Sequence, residues 1–423
     1  MNTAIIESNE KFVTLEITIP LSNTYLGTET KIQAVLNEAG TIASGEALKQ
    51  FDTNGMAIEE GGKRWTSKGQ QPKTYQTPYG SIEVNRHVYQ TSAGGETYCP
   101  LEVNARIIVT STPRFAKQIS HKYAEMSSVR LVEDLLENHG REVDRAFVQI
   151  LAAAVGNIAI IKEEDWTYQT PKADVEIPTV SIGLDGTCML MCGEGFRQAM
   201  AGTISLYDSQ GERQHTTYIT ASPEYGRETF LTRLRREVEH IKQLYPNARY
   251  QGLADGAPEN WTFLNSVTST QILDFYHATQ YLDKFAKAMH PRSVQSQKAW
   301  MDINCHKLKH DTGFAETLLA EMQIIQLKRV SKSVLQGFQD AITYFRNHHH
   351  QMLYVEAAAS NLPIGSGITE AACKVIIKAR LCCSGMKWKD KGASIVLSLR
   401  ALSYTKGRWQ QFWDKINRYG FSL

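Results

Sequence analysis

The sequence predicts a mixed α+β protein whose middle third holds a mixed β-sheet flanked by helices. Three observations predict it. Apolar, strand-like runs occur at 175–184, 199–207, 214–220 and 249–254, an amphipathic helix at 227–244 lies between the third and fourth, and long helical patterns flank the whole set.

From the N-terminus, residues 12–20 alternate apolar and polar side chains and predict a strand, and 29–51 a helix. The stretch 61–72 is polar and reads as a loop, and 79–89 as part of a hairpin. Residues 1–110 are expected to form a small α+β module. Thr112-Pro113 is a helix start, with Phe115, Ile119, Tyr123 and Met126 on one face. A second helix carries Val132, Leu135 and Leu136 and is broken at Asn138-His-Gly140. A third turns Val143, Phe147, Ile150 and Leu151 inward. Helix, short turn, helix over 111–160 is a helix-turn-helix outline, expected to read DNA, with Arg141 and Arg145 beside Glu142 and Asp144 on the reading helix. Plain helical packing gives the same outline.

After a polar linker at 162–173 come the strands, with turns at Gly193-Glu-Gly195 and Asp208-Ser-Gln-Gly211. Three antiparallel strands, a helix and a fourth strand open an RNase H-like fold, in which acids on strands one and four lie side by side. The catalytic core is placed at 174–264. Between Asp255 and Glu370 lie 114 residues of mostly helical pattern, so 265–360 is expected to be an all-helical insertion. Residues 361–423 should supply the last core helix and a basic tail.

Composition bounds the function. Hydrophobic residues make up 42% and charged residues 21%, ordinary for a globular protein, and no apolar run is long enough for a membrane span. The first ten residues lack the pattern of a secretion signal, and the seven cysteines are scattered, so a reduced, cytoplasmic location is expected. Net charge is only +2, but 361–423 carries 11 Lys/Arg against 3 Asp/Glu, leaving the remainder at −6. Such a localised surplus points to a polyanion surface. A solvated helix face would give the same count.

Three acids stand in motifs that suit metal chemistry. Asp185 lies in Ser181-Ile-Gly-Leu-Asp-Gly-Thr187, Asp255 in Gly252-Leu-Ala-Asp-Gly-Ala-Pro-Glu-Asn-Trp261, and Glu370 in Gly365-Ser-Gly-Ile-Thr-Glu-Ala-Ala-Cys-Lys374. The first two end strands and the third opens a helix. Together they could hold two divalent ions over a phosphodiester. Singly, an Asp-Gly is more often a turn and a first-turn Glu a favourable charge at the helix dipole. No serine, cysteine or other nucleophile motif is evident.

With Asp274-Phe-Tyr-His277, Ser384-Gly-Met-Lys-Trp388 and Gly407-Arg-Trp-Gln-Gln-Phe-Trp413, these motifs make residues 75–423 resemble the Kra-type bacterial insertion-sequence DDE transposases. The resemblance implies an RNase H-like core with a mixed five-stranded sheet and helical insertion. It implies Mg²⁺ (two ions, with Mn²⁺ able to substitute), double-stranded DNA as transposon ends and target, a homodimer or higher oligomer on DNA, and strand cleavage and transfer. Asp185, Asp255 and Glu370 would be catalytic metal ligands, and Asp274 and His277, one helical turn apart, would buttress them. Lys374 and Lys378 share a helix face with Glu370 and are expected to meet phosphates, along with Lys387, Lys389, Arg400 and Arg408. Trp261 and Trp388 are candidates for stacking on an unpaired base, with core packing as the plainer role for Trp261. The run His348-His-His350 is read as surface. Two other functions fit the same fold: a domesticated transposase acting as a non-catalytic DNA-binding protein, and an RNase H-like nuclease without strand transfer.

Overall fold

A computed structural model of the chain describes residues 2–327 and 330–421. The chain divides into two compact units: Met1–Tyr168 with Ser394–Ser403 and Arg408–Leu423, and Gln169–Ala393 with Tyr404–Gly407. No helix among the described residues is long and apolar enough to cross a membrane.

The first unit begins with an antiparallel ribbon, β1 (Thr3–Ser8) and β2 (Val13–Ile17), and helix α1 (Tyr25–Lys49). Thr24 caps α1, its hydroxyl accepting from Gly27 N at 3.1 Å. A three-stranded antiparallel sheet follows in the order β3 (Ile58–Glu60), β4 (Lys63–Gln76), β5 (Ser81–Thr91). The polar stretch 61–72, expected as a loop, is therefore mostly strand. Its side chains are largely exposed, so it shows no apolar alternation, and pairing with β5 from Trp65↔Thr91 to Gln76↔Ser81 holds it extended.

Helices α2 (Pro100–Asn104), α3 (Pro113–Glu125), α4 (Ser128–His139) and α5 (Arg145–Ile161) complete this segment. Pro113 sits in the first turn of α3, and Gly140 ends α4 in the left-handed conformation at φ +59°. Helix α5 is the most apolar of the set, burying Val148, Leu151, Val155 and Ile158. Ile150, expected to turn inward, points outward from this helix, and Arg141, ahead of it, is buried, donating to the Thr77 carbonyl and Gln76 Oε1.

The second unit opens with β6 (Thr179–Met191), β7 (Gly195–Tyr207), β8 (Arg213–Ala221), α6 (Gly226–Leu244), β9 (Arg249–Ala254), α7 (Pro258–Val267) and β10 (Thr270–Leu273). These strands form one mixed five-stranded sheet in the order β10-β9-β6-β7-β8. The β6–β7 and β7–β8 pairs are antiparallel, and β9 is parallel to both β6 and β10. Helices α8 (Phe275–Met289), α9 (Val294–His310), α10 (Phe314–Ile324) and α11 (Lys332–His348) follow. They share one continuous core with the sheet: Phe285 and Phe338 stack at 4.8 Å, and Tyr281 and Tyr344 at 3.8 Å. Each Phe buried this way contributes roughly 2–3 kcal/mol.

The remaining elements are α12 (Tyr354–Ala359), α13 (Gly367–Ala372), a π-helical turn (Cys373–Lys378), α14 (Ala379–Leu381), α15 (Asp390–Tyr404) and α16 (Arg408–Tyr419). The expected basic tail is corrected here. Ser394–Ser403 and α16 belong to the first unit, where Ile395, Leu399, Phe412, Trp413 and Ile416 join α3 and α5 in one core. Arg400 is 1% exposed, donating to the Ala124 carbonyl at 2.6 Å and pairing with Glu125 at 3.1 Å. Arg408 is buried with its guanidinium over the Tyr168 ring. Neither side chain is placed to meet DNA.

Arg400→Ala should therefore lower the unfolding free energy by about 2–3 kcal/mol, through the unpaired Ala124 carbonyl and the packing removed with the side chain. Denaturant titration checks this. A surface Arg would cost well under 1 kcal/mol.

Candidate functional site

Backbone register assembles the acids. Gly183 of β6 pairs with Leu253 of β9, and Leu273 of β10 with Ala254 of β9. Asp185 lies two residues beyond Gly183, Asp255 is the first residue after β9, and Asp274 the first after β10. Asp274 N donates to the Ala254 carbonyl at 2.8 Å. Asp255 and Asp274 thus stand at the C-terminal ends of β9 and β10, where open sheets of this kind bind ligands. Asp185 does not end its strand as expected: it lies midway along β6, just past the point where the parallel pairing with β9 stops.

Local bonds fix each one. Asp185 Oδ1 accepts from Gly186 N at 2.7 Å. Asp255 Oδ1 accepts from Ala257 N at 3.2 Å and Asn260 Nδ2 at 3.3 Å, and Asn260 also reaches the Leu184 carbonyl at 3.4 Å. Gly256 takes φ +102°, and a Cβ there would lie 3.2 Å from Tyr344 Oη and His348 Nε2. Tyr344 Oη in turn donates to the Asp255 carbonyl at 2.9 Å. His348 is half-buried and packs on the Tyr344 ring, so it is not the surface residue expected.

Glu370 arrives on α13, which seats directly on the sheet. A Cβ at Gly183 would overlap Thr369 Oγ1, and that hydroxyl is 2.7 Å from Thr203 Oγ1 on β7. Ser366 Oγ donates to Glu370 Oε1 at 3.2 Å, and Lys374 Nζ lies 3.7 Å from Oε2. The helix then widens into its π-helical turn, a departure that frequently marks functional sites. There the Cys373 thiol donates to Asp185, and burial with the Asp185 charge pushes the thiol pKa up, so Cys373 is not an activated nucleophile.

Asp274 joins these parts. It is fully buried, caps α8 by accepting from His277 N at 2.7 Å, and accepts from Ser366 N in the loop ahead of Glu370. Phe275 N also donates to the Ile364 carbonyl at 2.9 Å. Burial raises the Asp274 carboxyl, but its bonds to His277 and Ser366 outweigh that and hold it at about 2. His277 Nδ1 lies 3.4 Å from Asp274 Oδ1, which raises the imidazole pKa, with Asp255 and Glu370 adding to the effect. The Asp185 carboxyl is raised by burial and by the Asp255 charge.

Donor atoms of Asp274, His277 and Glu370 all lie within 4.8 Å of one another. This tight group is not the expected trio of Asp185, Asp255 and Glu370. Two residues assigned a supporting role share it, while Asp185 and Asp255 are coupled to it through His277. Two carboxylates and an imidazole this close together could hold a metal ion.

No family model matches the chain, and no curated protein matches it.

The remaining expected residues divide cleanly. Trp261 is 5% exposed in the core with Phe263 and Leu264, which excludes base stacking. Trp388 is half-buried, its Nε1 donating to the Leu381 carbonyl at 2.9 Å and Arg380 lying over its ring. Lys374, Lys378, Lys387 and Lys389 are exposed, as is Lys391. Asn260, Tyr344 and Thr369 were not singled out by sequence; Asn260 inside the Asp255 motif and Thr369 inside the Glu370 motif offered a signal, and Tyr344 none.

Asp274→Asn should lower stability near neutral pH by about 2 kcal/mol. The wild-type carboxyl sits at about 2 against an ordinary 3.8, so its contribution is complete above about pH 4 and fades as pH falls toward 2. The gap between wild type and variant, measured by thermal unfolding across pH, should close over that window.

Proposed function

We propose that the protein is a divalent-metal-dependent DNA strand-cleaving and strand-joining enzyme of the DDE transposase type, built on an RNase H-like sheet. The observation that carries this reading is the register-imposed row of Asp185, Asp255 and Asp274 facing Glu370 on α13. The order β10-β9-β6-β7-β8 and the helices between β10 and Glu370 support it, although the stretch 265–360 is not all helical as expected, because β10 lies within it as an edge strand of the sheet.

In this reading Asp185, Asp255 and Glu370 hold the ions, and Asp274 positions Glu370 through the Ser366 loop. Bound Mg²⁺ would supply Lewis-acid stabilisation of the phosphate and a lowered pKa for attacking water. Tyr344 and Asn260 keep the Asp255 turn in place. Lys374 and Lys378 present exposed ammonium groups on the segment that carries Glu370, placed to meet phosphate oxygens. Cys373, tied to Asp185 and kept protonated, takes no covalent part, so the phosphodiester is exchanged directly between oxygens.

The test incubates the full chain with duplexes containing the DNA that flanks its own gene, with and without Mg²⁺. Metal-dependent nicks and joined strands are expected. Asp185→Asn, Asp255→Asn and Glu370→Gln should each reduce both by at least about 100-fold while leaving binding nearly unchanged. Replacing Lys374 or Lys378 by Ala should lower the slope of log affinity against log salt by about 0.9 for each phosphate no longer neutralised. Binding without any cleavage would favour a non-catalytic DNA-binding protein, and nicking without joining a nuclease.

A further inference from the structure

Asp185 and Glu370 ride on two segments that run alongside one another. At one end the Cys373 thiol donates to Asp185. At the other, Trp388 N donates to the Leu190 carbonyl at 3.1 Å and Cys192 N to the Trp388 carbonyl at 2.7 Å, joining the segment after α14 to the end of β6. Between these anchors Cys382 Sγ lies 3.6 Å from the carbonyl oxygen of Cys188, with both cysteines exposed. The anchors on either side limit how far the two residues can separate. Cys383, although adjacent, turns its thiol back to the Ala379 carbonyl at 3.1 Å.

We infer that Cys188 and Cys382 are a reactive pair that closes to an intramolecular disulfide, tying the strand that bears Asp185 to the helical segment that bears Glu370. The co-reactant is a low-molecular-weight disulfide. One protein thiolate attacks it, forming a mixed disulfide and releasing one small thiolate. The second protein thiolate then attacks the mixed disulfide, forming the Cys188–Cys382 bond and releasing the other. The two protein thiols lose two electrons and two protons, and the small disulfide is reduced to two thiols. Although Cys382 is exposed as a residue, partial desolvation of its thiol raises the pKa, with Cys383 and Cys188 adding and Lys378 opposing, so the reaction is best driven at mildly alkaline pH.

This inference is independent of the proposed activity, because it is read by mass whether or not the protein cuts DNA. The full-length protein is treated with oxidised glutathione, its remaining thiols are alkylated, and it is digested without reduction. The expected product is a single cross-linked pair of peptides containing Cys188 and Cys382, which disappears on reduction with dithiothreitol. It should persist in Cys383→Ser and be absent from Cys188→Ser and from Cys382→Ser, each with an unchanged circular dichroism spectrum. Recovery of Cys188 and Cys382 as separately alkylated or separately glutathionylated peptides would overturn the inference. So would a link formed through Cys383 or between two chains.

Discussion

Thr369 rests on Gly183 so closely that a side chain at 183 would overlap its hydroxyl, and Thr203 on β7 hydrogen-bonds that same hydroxyl. This packing sets how near α13 approaches the sheet, and so where Glu370 can reach. The distance from Glu370 to Asp274 and His277, the Ser366 bridge and the Cys373–Asp185 bond all follow from it. Strand pairing sets the other half of the geometry. A slip of one residue between β6 and β9 would turn Asp185 to the opposite face and break the row of acids.

Placing several carboxylates together in a half-buried site is unfavourable without compensation, and the structure shows how it is relieved. Asp274 is satisfied by backbone N–H groups from two segments and by the imidazole beside it, so it stays ionised. Asp185 has one backbone donor and the Cys373 thiol, and its carboxyl is raised. His277 is drawn into the group, where the Asp274 carboxylate favours its protonated form, and Lys374 approaches Glu370 from the exposed side. Asp255 keeps the Ala257 and Asn260 donors, so the carboxyl with least relief is Asp185, which burial and the Asp255 charge both oppose.

Much of this was legible in the sequence. β6, β7, β8 and β9 carry apolar runs and α6 an amphipathic pattern, and the acids sit in motifs whose glycines the structure uses: Gly256 takes a positive φ after Asp255, and Gly183 lets Thr369 approach β6. What escaped was what pattern does not encode. β4 is polar because its faces are mostly exposed, and it is held by pairing with β5. β10 is four residues long, too short to show a period. Arg400 and Arg408 counted toward a basic surface, yet both are buried, because composition cannot separate a surface cation from one paired inside. Asp274 and His277 were recognisable as a pair, but their closeness to Glu370 depends on a loop ninety-two residues away in sequence, from Asp274 to Ser366.

The proposed function requires these acids to form one divalent-cation site through their placement by the sheet and α13. Mn²⁺ binding to the full chain without DNA, followed by electron paramagnetic resonance of the free ion, tests it most directly. Saturable uptake by the wild type is expected, weakened at least about tenfold by Asp255→Asn and likewise by Glu370→Gln, with both variants folded. Equal Mn²⁺ affinity in the wild type and both variants would contradict it.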